Sequence, residues 1–285
     1  MKKNRKQSRW REVWHRLKKN KLAVAALVVL IIFVLIAIFG PLFAPYTYEQ
    51  QDAMHAKAGS SAEHLLGTDK LGRDVLSRLI YGTRQSLSMG VIAVAIAAVI
   101  GITIGAIAGF YGGWTENIIM RLLDIYQAIP MFLLCVTLAA VLGPSLRNAI
   151  IALGISTIPV YARLMRAAVM TVREKEYVEA ARAINARDAR IIFKHIVPNT
   201  IAPIIVEITM GVGASILTGS ALSFIGLGAQ PPIPEWGAMI SDARNVMREC
   251  PTLALYPGLC VMLTVLSCNL LGDGLRDALD PRLKN

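Results

Sequence analysis

The strongest constraint on this chain is an uncharged apolar run, Leu22–Phe39, set directly behind a dense basic segment. A stretch of about 20 apolar residues crosses a bilayer, and such a run has few soluble alternatives. The basic residues before it are Lys2, Lys3, Arg5, Lys6, Arg9, Arg11, Arg16, Lys18, Lys19 and Lys21. A basic segment next to a span reads as a cytoplasmic anchor against anionic lipid, not as a nucleic-acid arm. The run is longer than a secretory signal core and ends in Gly40-Pro41-Leu42-Phe43-Ala44-Pro45, with no small-x-small cleavage site, so a retained first helix is expected. Trp10, Trp14 and Leu17 recur at helical spacing in the basic segment, which predicts an interfacial amphipathic helix.

Five further apolar runs follow: Leu87–Tyr111, about Ile118–Leu142, Asn148–Met170, about Thr200–Leu227 and Thr252–Leu271. The composition agrees with six spans, since 55% of the 285 residues are hydrophobic and only 17% charged, against about 25% charged in soluble domains. The net charge of +11 is uneven. Lys and Arg concentrate in the N-terminal segment, between Arg163 and Lys194, and at Arg276, Arg282 and Lys284. The positive-inside rule then places both termini in the cytoplasm. The expected divisions are a basic segment at 1–21, a first transmembrane helix at 22–42, an extracytoplasmic segment at 43–86 and a five-helix core at 87–285. Outer segments fall at 43–86 and 229–251, and one long inner loop at 171–199.

Little in the chain points to chemistry of its own. There is no G-x-x-x-x-G-K-[ST], G-x-S-x-G or H-E-x-x-H pattern. His15, His55, His64 and His195 are scattered. Cys135, Cys250, Cys260 and Cys268 form no C-x-x-C pair, and buried packing is their expected role. Ionisable groups inside spans are the usual functional flag in a membrane protein. Here they are Asp124, Arg163, Arg166 and Glu207, all expected toward the cytoplasmic half. Asp124 with a neighbouring arginine reads as a structural ion pair. Asp74 and Arg78, one turn apart, read as a staple on a surface helix. Ala93, Ala97, Gly101, Gly105 and Gly109 recur every four residues, so one helix face admits a close neighbour, within the chain or in another subunit. Pro130, Pro159, Pro203 and Pro257 mark possible kinks.

The inner loop reads Glu176-Tyr177-Val178-Glu179-Ala180-Ala181 and continues to His195-Ile196-Val197-Pro198-Asn199. A short helix, a break at Asn185, a second helix and a stop at Pro198 are expected, because Asn tolerates the left-handed conformation. This loop resembles the EAA loop of ABC importer permeases, E-A-A-x-x-x-G, nine residues, then I-x-L-P. Glu179, Ala180, Ala181 and Pro198 match. Asn185 stands where the family has Gly, His195 where it has Ile, and Val197 where it has Leu. His-Ile-x-Pro-Asn, containing Ile196, is similar to the oligopeptide-permease version. Three other stretches resemble the dipeptide/oligopeptide/nickel permeases: Leu66-Gly67-Thr68-Asp69-Lys70-Leu71-Gly72-Arg73-Asp74, then Ala221 through Gly237, then Asn269 through Pro281.

The resemblance, closest to the C-type subunit, implies an all-α membrane fold of six helices like the type I importer permease MetI, in a bacterial cytoplasmic membrane. It implies that Glu179, Ala180, Ala181, Asn185, His195, Ile196 and Pro198 couple the chain to an ATPase. It implies a B-type permease partner, two ABC ATPase subunits that bind ATP and Mg, and an extracytoplasmic substrate-binding protein, with no cofactor, metal or nucleic acid on this chain. A dipeptide, oligopeptide, glutathione or nickel complex is the implied cargo. A self-contained secondary transporter or channel is the alternative reading.

Overall fold

In the computed structural model, residues 9–279 are described, and the side chains of Arg9 and Trp10 lie outside the described set, as do Lys2 to Lys6, Arg282 and Lys284. Apart from one isolated bridge between Thr68 and Asp74, the regular elements among the described residues are all helices. The helices are α1 (Arg9–Leu17), α2 (Lys21–Phe43), α3 (Val75–Tyr111), α4 (Gly113–Gln127), α5 (Met131–Leu142), α6 (Leu146–Met170), α7 (Glu176–Ala183), α8 (Asp188–Phe224), α9 (Trp236–Ala243) and α10 (Thr252–Leu279).

Among the described residues, α2, α3, α6, α8 and α10 are each long and apolar enough to cross a membrane. The run expected at Ile118–Leu142 is not one straight span. It divides into α4 and α5, bent by 80° across Ala128–Pro130. Pro130 has no N–H to continue the α4 ladder, and its ring opens the turn. The other spans outrun their apolar cores. α3 begins at Val75 rather than near Leu87, because Asp74 caps it: the Asp74 Oδ2 accepts the Ser77 N–H at 2.7 Å. At 37 residues α3 extends about 55 Å, well beyond a bilayer's hydrocarbon.

The small-residue face of α3 is spent within the chain, on α6. Gly101 meets Ile158, Tyr161 and Ala162, Gly105 meets Ala162 and Met165, and Gly109 meets Arg166 and Val169. Ala93 and Ala97 are fully buried in the same stripe. α8 and α10 pack against this pair, and Cys268 lies where a Cβ on Gly213 would fall. The four cysteines are free, with Cys135 and Cys268 buried. α1 tucks Leu17 against Ala23, Leu271 and Ala278, while Trp14 stays half exposed under the Lys18 ammonium at 5.1 Å.

The α3–α6 contact is therefore sensitive to one carbon. A Cβ on Gly105 would stand 2.1 Å from the Ala162 carbonyl oxygen. Gly105→Leu is expected to lower the melting temperature of the detergent-purified protein sharply, since overpacking costs about 1–3 kcal/mol or more. Gly258→Ala, where nothing lies within 4 Å, is expected to leave it unchanged or slightly raised.

Candidate functional site

Two regions place polar side chains on show at the ends of the bundle, and a third places them inside it.

At the end of the bundle that carries the loop expected to face inward, α6 gives way at Thr171 and the chain turns into α7. Glu176 and Glu179 fall in the first turn of α7, where the helix dipole favours negative charge, and Arg182 falls in the last. Val178 and Ala181 are buried against Phe110, Ile191, Ile192 and Ile196. Arg182 lies over the Phe110 ring at 5.1 Å, the Tyr111 hydroxyl donates to Asp188 at 3.0 Å, and Arg173 donates to the Gly109 carbonyl. The whole loop is thereby riveted to the end of α3.

The break after α7 has a definite geometry. Asn185 takes φ +54. Its N–H donates to the Arg182 carbonyl at 2.9 Å, and the Ala186 N–H to the Ala181 carbonyl at 3.1 Å. This pair of bonds is a Schellman cap with Asn185 in the left-handed position usually held by glycine. The expected stop at Pro198 does not occur. Ile191–Ile196 winds as a π-helix, the Val197 N–H reaches back five residues to Ile192, and α8 continues through Pro198 to Phe224. The wider turn accommodates a proline that cannot donate.

Of the residues singled out in the sequence, Glu179, Ala180, Asn185 and Pro198 are exposed, His195 is half-buried, and Ala181 and Ile196 face inward into the core. Ala181 therefore anchors the helix instead of lining its outer surface. Sequence reasoning missed the outward apolar side chains: Ile184 is 79% exposed and Phe193 51%. Their signal is that they fall off the buried period set by Val178, Ala181, Ile191 and Ile196.

At the opposite end, where the sequence places the outer segments, residues 44–74 and 225–251 fold into one cap. Arg78 is buried, not a surface staple. It donates to the carbonyls of Tyr48 and Pro232 at 3.2 and 3.4 Å and lies 3.6 Å from Asp69 and 3.8 Å from Asp242. Arg73 pairs with Asp69 at 2.6 Å and Asp242 at 3.2 Å. Asp74 turns instead to its own helix and to His64, at 3.0 Å. Glu235 is fully buried, accepts from the Ser86 and Ser220 hydroxyls at 2.9 and 3.2 Å, and caps α9 through the Ala238 N–H. Gly72, at φ +76, brings its Cα so close to Asp52 that a Cβ would stand 1.8 Å from the Asp52 carbonyl oxygen. The Asp52–His55 pair at 2.6 Å is exposed on this cap. The Asp52 carboxylate holds the His55 imidazolium above its ordinary value near 6.5, and His55 in turn lowers Asp52.

Within the bundle, Asp124 pairs with Arg163 at 2.8 Å, as the sequence suggests, and Arg166 pairs with Glu116. Glu207 lies instead on a cleft between α6 and α8, with Thr157, Tyr161, Gly211 and Thr218.

Spanning helices, a helical loop fixed to one end of the bundle and an ion-locked cap at the other define an integral-membrane protein. Residues 101–285 match the family described as "Binding-protein-dependent transport system inner membrane component", and residues 8–62 match "N-terminal TM domain of oligopeptide transport permease C". The chain belongs to the first of these families: it is a multi-pass, non-catalytic permease subunit of a binding-protein-dependent ABC importer in a bacterial inner membrane. It is 49% identical over 98% of its length to the dipeptide transport system permease protein DppC of Alkalihalophilus pseudofirmus, covering 91% of that protein. It is 44% identical over 97% of its length to the glutathione transport system permease protein GsiD of Pectobacterium atrosepticum, covering 92% of it. Its fold is that of a chain from the MetNI methionine ABC transporter in an inward-facing conformation, with TM-score 0.57 at 19% identity, over 71% of this chain and 97% of that one.

Two measurements probe these ends. Asn185→Val forces a β-branched residue into φ +54. It is expected to destabilise the loop by about 1–2 kcal/mol, read as faster amide exchange in 176–196, while Asn185→Gly leaves exchange unchanged. For the Asp52–His55 pair, the raised histidine contributes fully below its unfolded value and its contribution fades as pH rises through the folded one. The lowered aspartate contributes above its unfolded value and loses that as pH falls through the folded one. A histidine titration by NMR is expected to give a His55 midpoint above 6.5, falling toward that value in Asp52→Asn.

Proposed function

We propose that this chain pairs with a B-type permease to form the membrane pore of an importer driven by two ABC ATPase subunits, which hold the ATP and Mg. An extracytoplasmic binding protein delivers the cargo to the outer cap, and both chain termini lie in the cytoplasm. The cargo is a dipeptide or oligopeptide, with the related tripeptide glutathione the next candidate by similarity.

The observation that carries this reading is the inner loop. α7 presents Glu179, Ala180 and Ile184 outward while Val178 and Ala181 bind its back to α3 and α8. Small and apolar outward residues fit a protein groove, and Glu179 offers an acceptor at its rim. A push on that face is transmitted to the spans because the loop is fixed to them by Arg182–Phe110 and Tyr111–Asp188. The basic residues clustered at 163–194 support a cytoplasmic placement of this face. A self-contained carrier would have no need for such a face, and the full-length likeness to importer permeases argues against one.

Affinity purification of the tagged chain from native membranes in mild detergent is expected to recover a second permease and P-loop ATPases in near-stoichiometric amounts. In proteoliposomes of that complex, Glu179→Lys is expected to leave insertion and assembly intact but to cut ATP-driven dipeptide uptake at least about tenfold, the scale of one misplaced charge at an interface. Uptake without ATP by the chain alone would sink the importer assembly.

A further inference from the structure

The cleft between α6 and α8 has a composition that the coupling machinery does not use. From α6, Leu153, Thr157, Val160 and Tyr161 face it, spaced as one helix face. From α8, Glu207, Gly211, Ala214, Ser215 and Thr218 face it, again as one helix face. The space is about 180 Å³ and open on one side. Thr157 lies at mid-length of α6, so the cleft is at membrane depth. Gly211 is required there: a Cβ would stand 2.3 Å from the Tyr161 hydroxyl.

Glu207 and two of the hydroxyls of the cleft act as acceptors, while Tyr161 and Ser215 keep their hydroxyl protons. The Thr157 hydroxyl donates back to the Leu153 carbonyl at 2.9 Å, and the Thr218 hydroxyl to Ala214 at 2.9 Å. Each thus spends its one proton on its own helix and turns lone pairs to the cleft. Glu207 is half-buried, and among the described residues it has no hydrogen bond or ion pair. The cations on the neighbouring turns are already committed, Arg163 to Asp124 and Arg166 to Glu116. A lone carboxylate at membrane depth is costly unless something pairs with it. A purely structural glutamate in this chain looks different: Glu235 is fully buried and accepts three hydrogen bonds.

The geometry points to Glu207, with Thr157 and Thr218, as a binding site for a primary ammonium group passing through the pore. An ammonium has three donors and no acceptor, the complement of a carboxylate flanked by two hydroxyl acceptors. The α-amino group of a peptide carries such a group, so this deepens the importer reading and rests on it. Leu153 and Val160 supply an apolar wall for the rest of the solute, and the Tyr161 hydroxyl adds a polar edge.

The test separates the site from the transport reading. In the detergent-purified complex, with the four native cysteines replaced by alanine, Thr218→Cys and Thr157→Cys are labelled with cationic trimethylammonioethyl and anionic sulfonatoethyl methanethiosulfonate. Rates are normalised to a free thiol. The cationic reagent is expected to react at least about tenfold faster at both positions, the factor expected from one nearby carboxylate. Adding Glu207→Gln, which keeps size and polarity, is expected to bring the ratio to within about twofold of unity. No labelling, equal labelling, or a preference that survives Glu207→Gln would each overturn the site, whether Glu207 is walled off or paired with the second permease. In proteoliposomes, Glu207→Gln is expected to lower dipeptide uptake about tenfold, with Glu207→Asp restoring most of it. If the wild-type complex takes up no dipeptide while the labelling preference stands, the peptide reading fails and the cation site does not.

Discussion

The structure depends on how closely α3 and α6 approach. In a bilayer, apolar side chains gain nothing from leaving lipid for protein, so helices associate through close van der Waals contact. Gly101, Gly105 and Gly109 allow that contact by removing the side chains that would hold α6 away. Everything of functional interest is then placed relative to this pair. Tyr161, buried in the contact, is carried to the cleft shared with α8. Gly109 and Phe110, at the end of the stripe, become the seat of the inner loop. Ser86, on the same helix toward the other end, reaches the buried Glu235 of the outer cap.

The two ends of the bundle are held by different physics. The outer cap is locked by charges taken out of water: Arg78 and Arg73 between Asp69 and Asp242, and Glu235 among hydroxyls. Removing one partner of such a set leaves an uncompensated buried charge, which typically costs about 3–5 kcal/mol. A structure of that kind has one arrangement and resists sliding. The loop at the other end is held by an apolar core of Val178, Ala181, Ile191 and Ile196, with Tyr111–Asp188 and Arg173–Gly109 tying its edges to α3. Apolar contacts tolerate small shifts at little cost, as helix shear requires.

Much of this was written in the sequence, and the exceptions have physical causes. The apolar runs located the spans, but not their ends. Hydropathy sees the bilayer, whereas α3 and α8 continue past it on caps and tertiary contacts such as the one from Asp74. The bend at Pro130 was visible only as a proline, because the same residue at 159, 203 and 257 lies inside continuous helices. Asn185 was legible as a break because few residues tolerate its backbone. The continuation through Pro198 was not, since it relies on a π-turn that no residue pattern announces. Arg78 shows the limit most clearly. Its spacing from Asp74 suggested a local pair, but its real partners are Asp69 and Asp242, and Asp242 is brought to it only by the fold of the cap.

Glu207 shows a related limit. Counted from an apolar run beginning near Thr200, it belongs to the cytoplasmic half of its span, one more charge near an interface. The cleft sets it opposite Tyr161, near mid-length of α6, with two threonines whose protons are already used. A carboxylate in that position is costly unless a cation pairs with it, because the medium around it solvates charge poorly. Among the described residues the cations on the neighbouring turns are already paired: Arg163 and Arg166 are drawn to the opposite face by Asp124 and Glu116. The proposed ammonium would supply the counter-charge from outside the chain, and a group that enters and leaves fits a pore better than a fixed partner does. A fixed pair would close the cleft, whereas the space facing Glu207 is open.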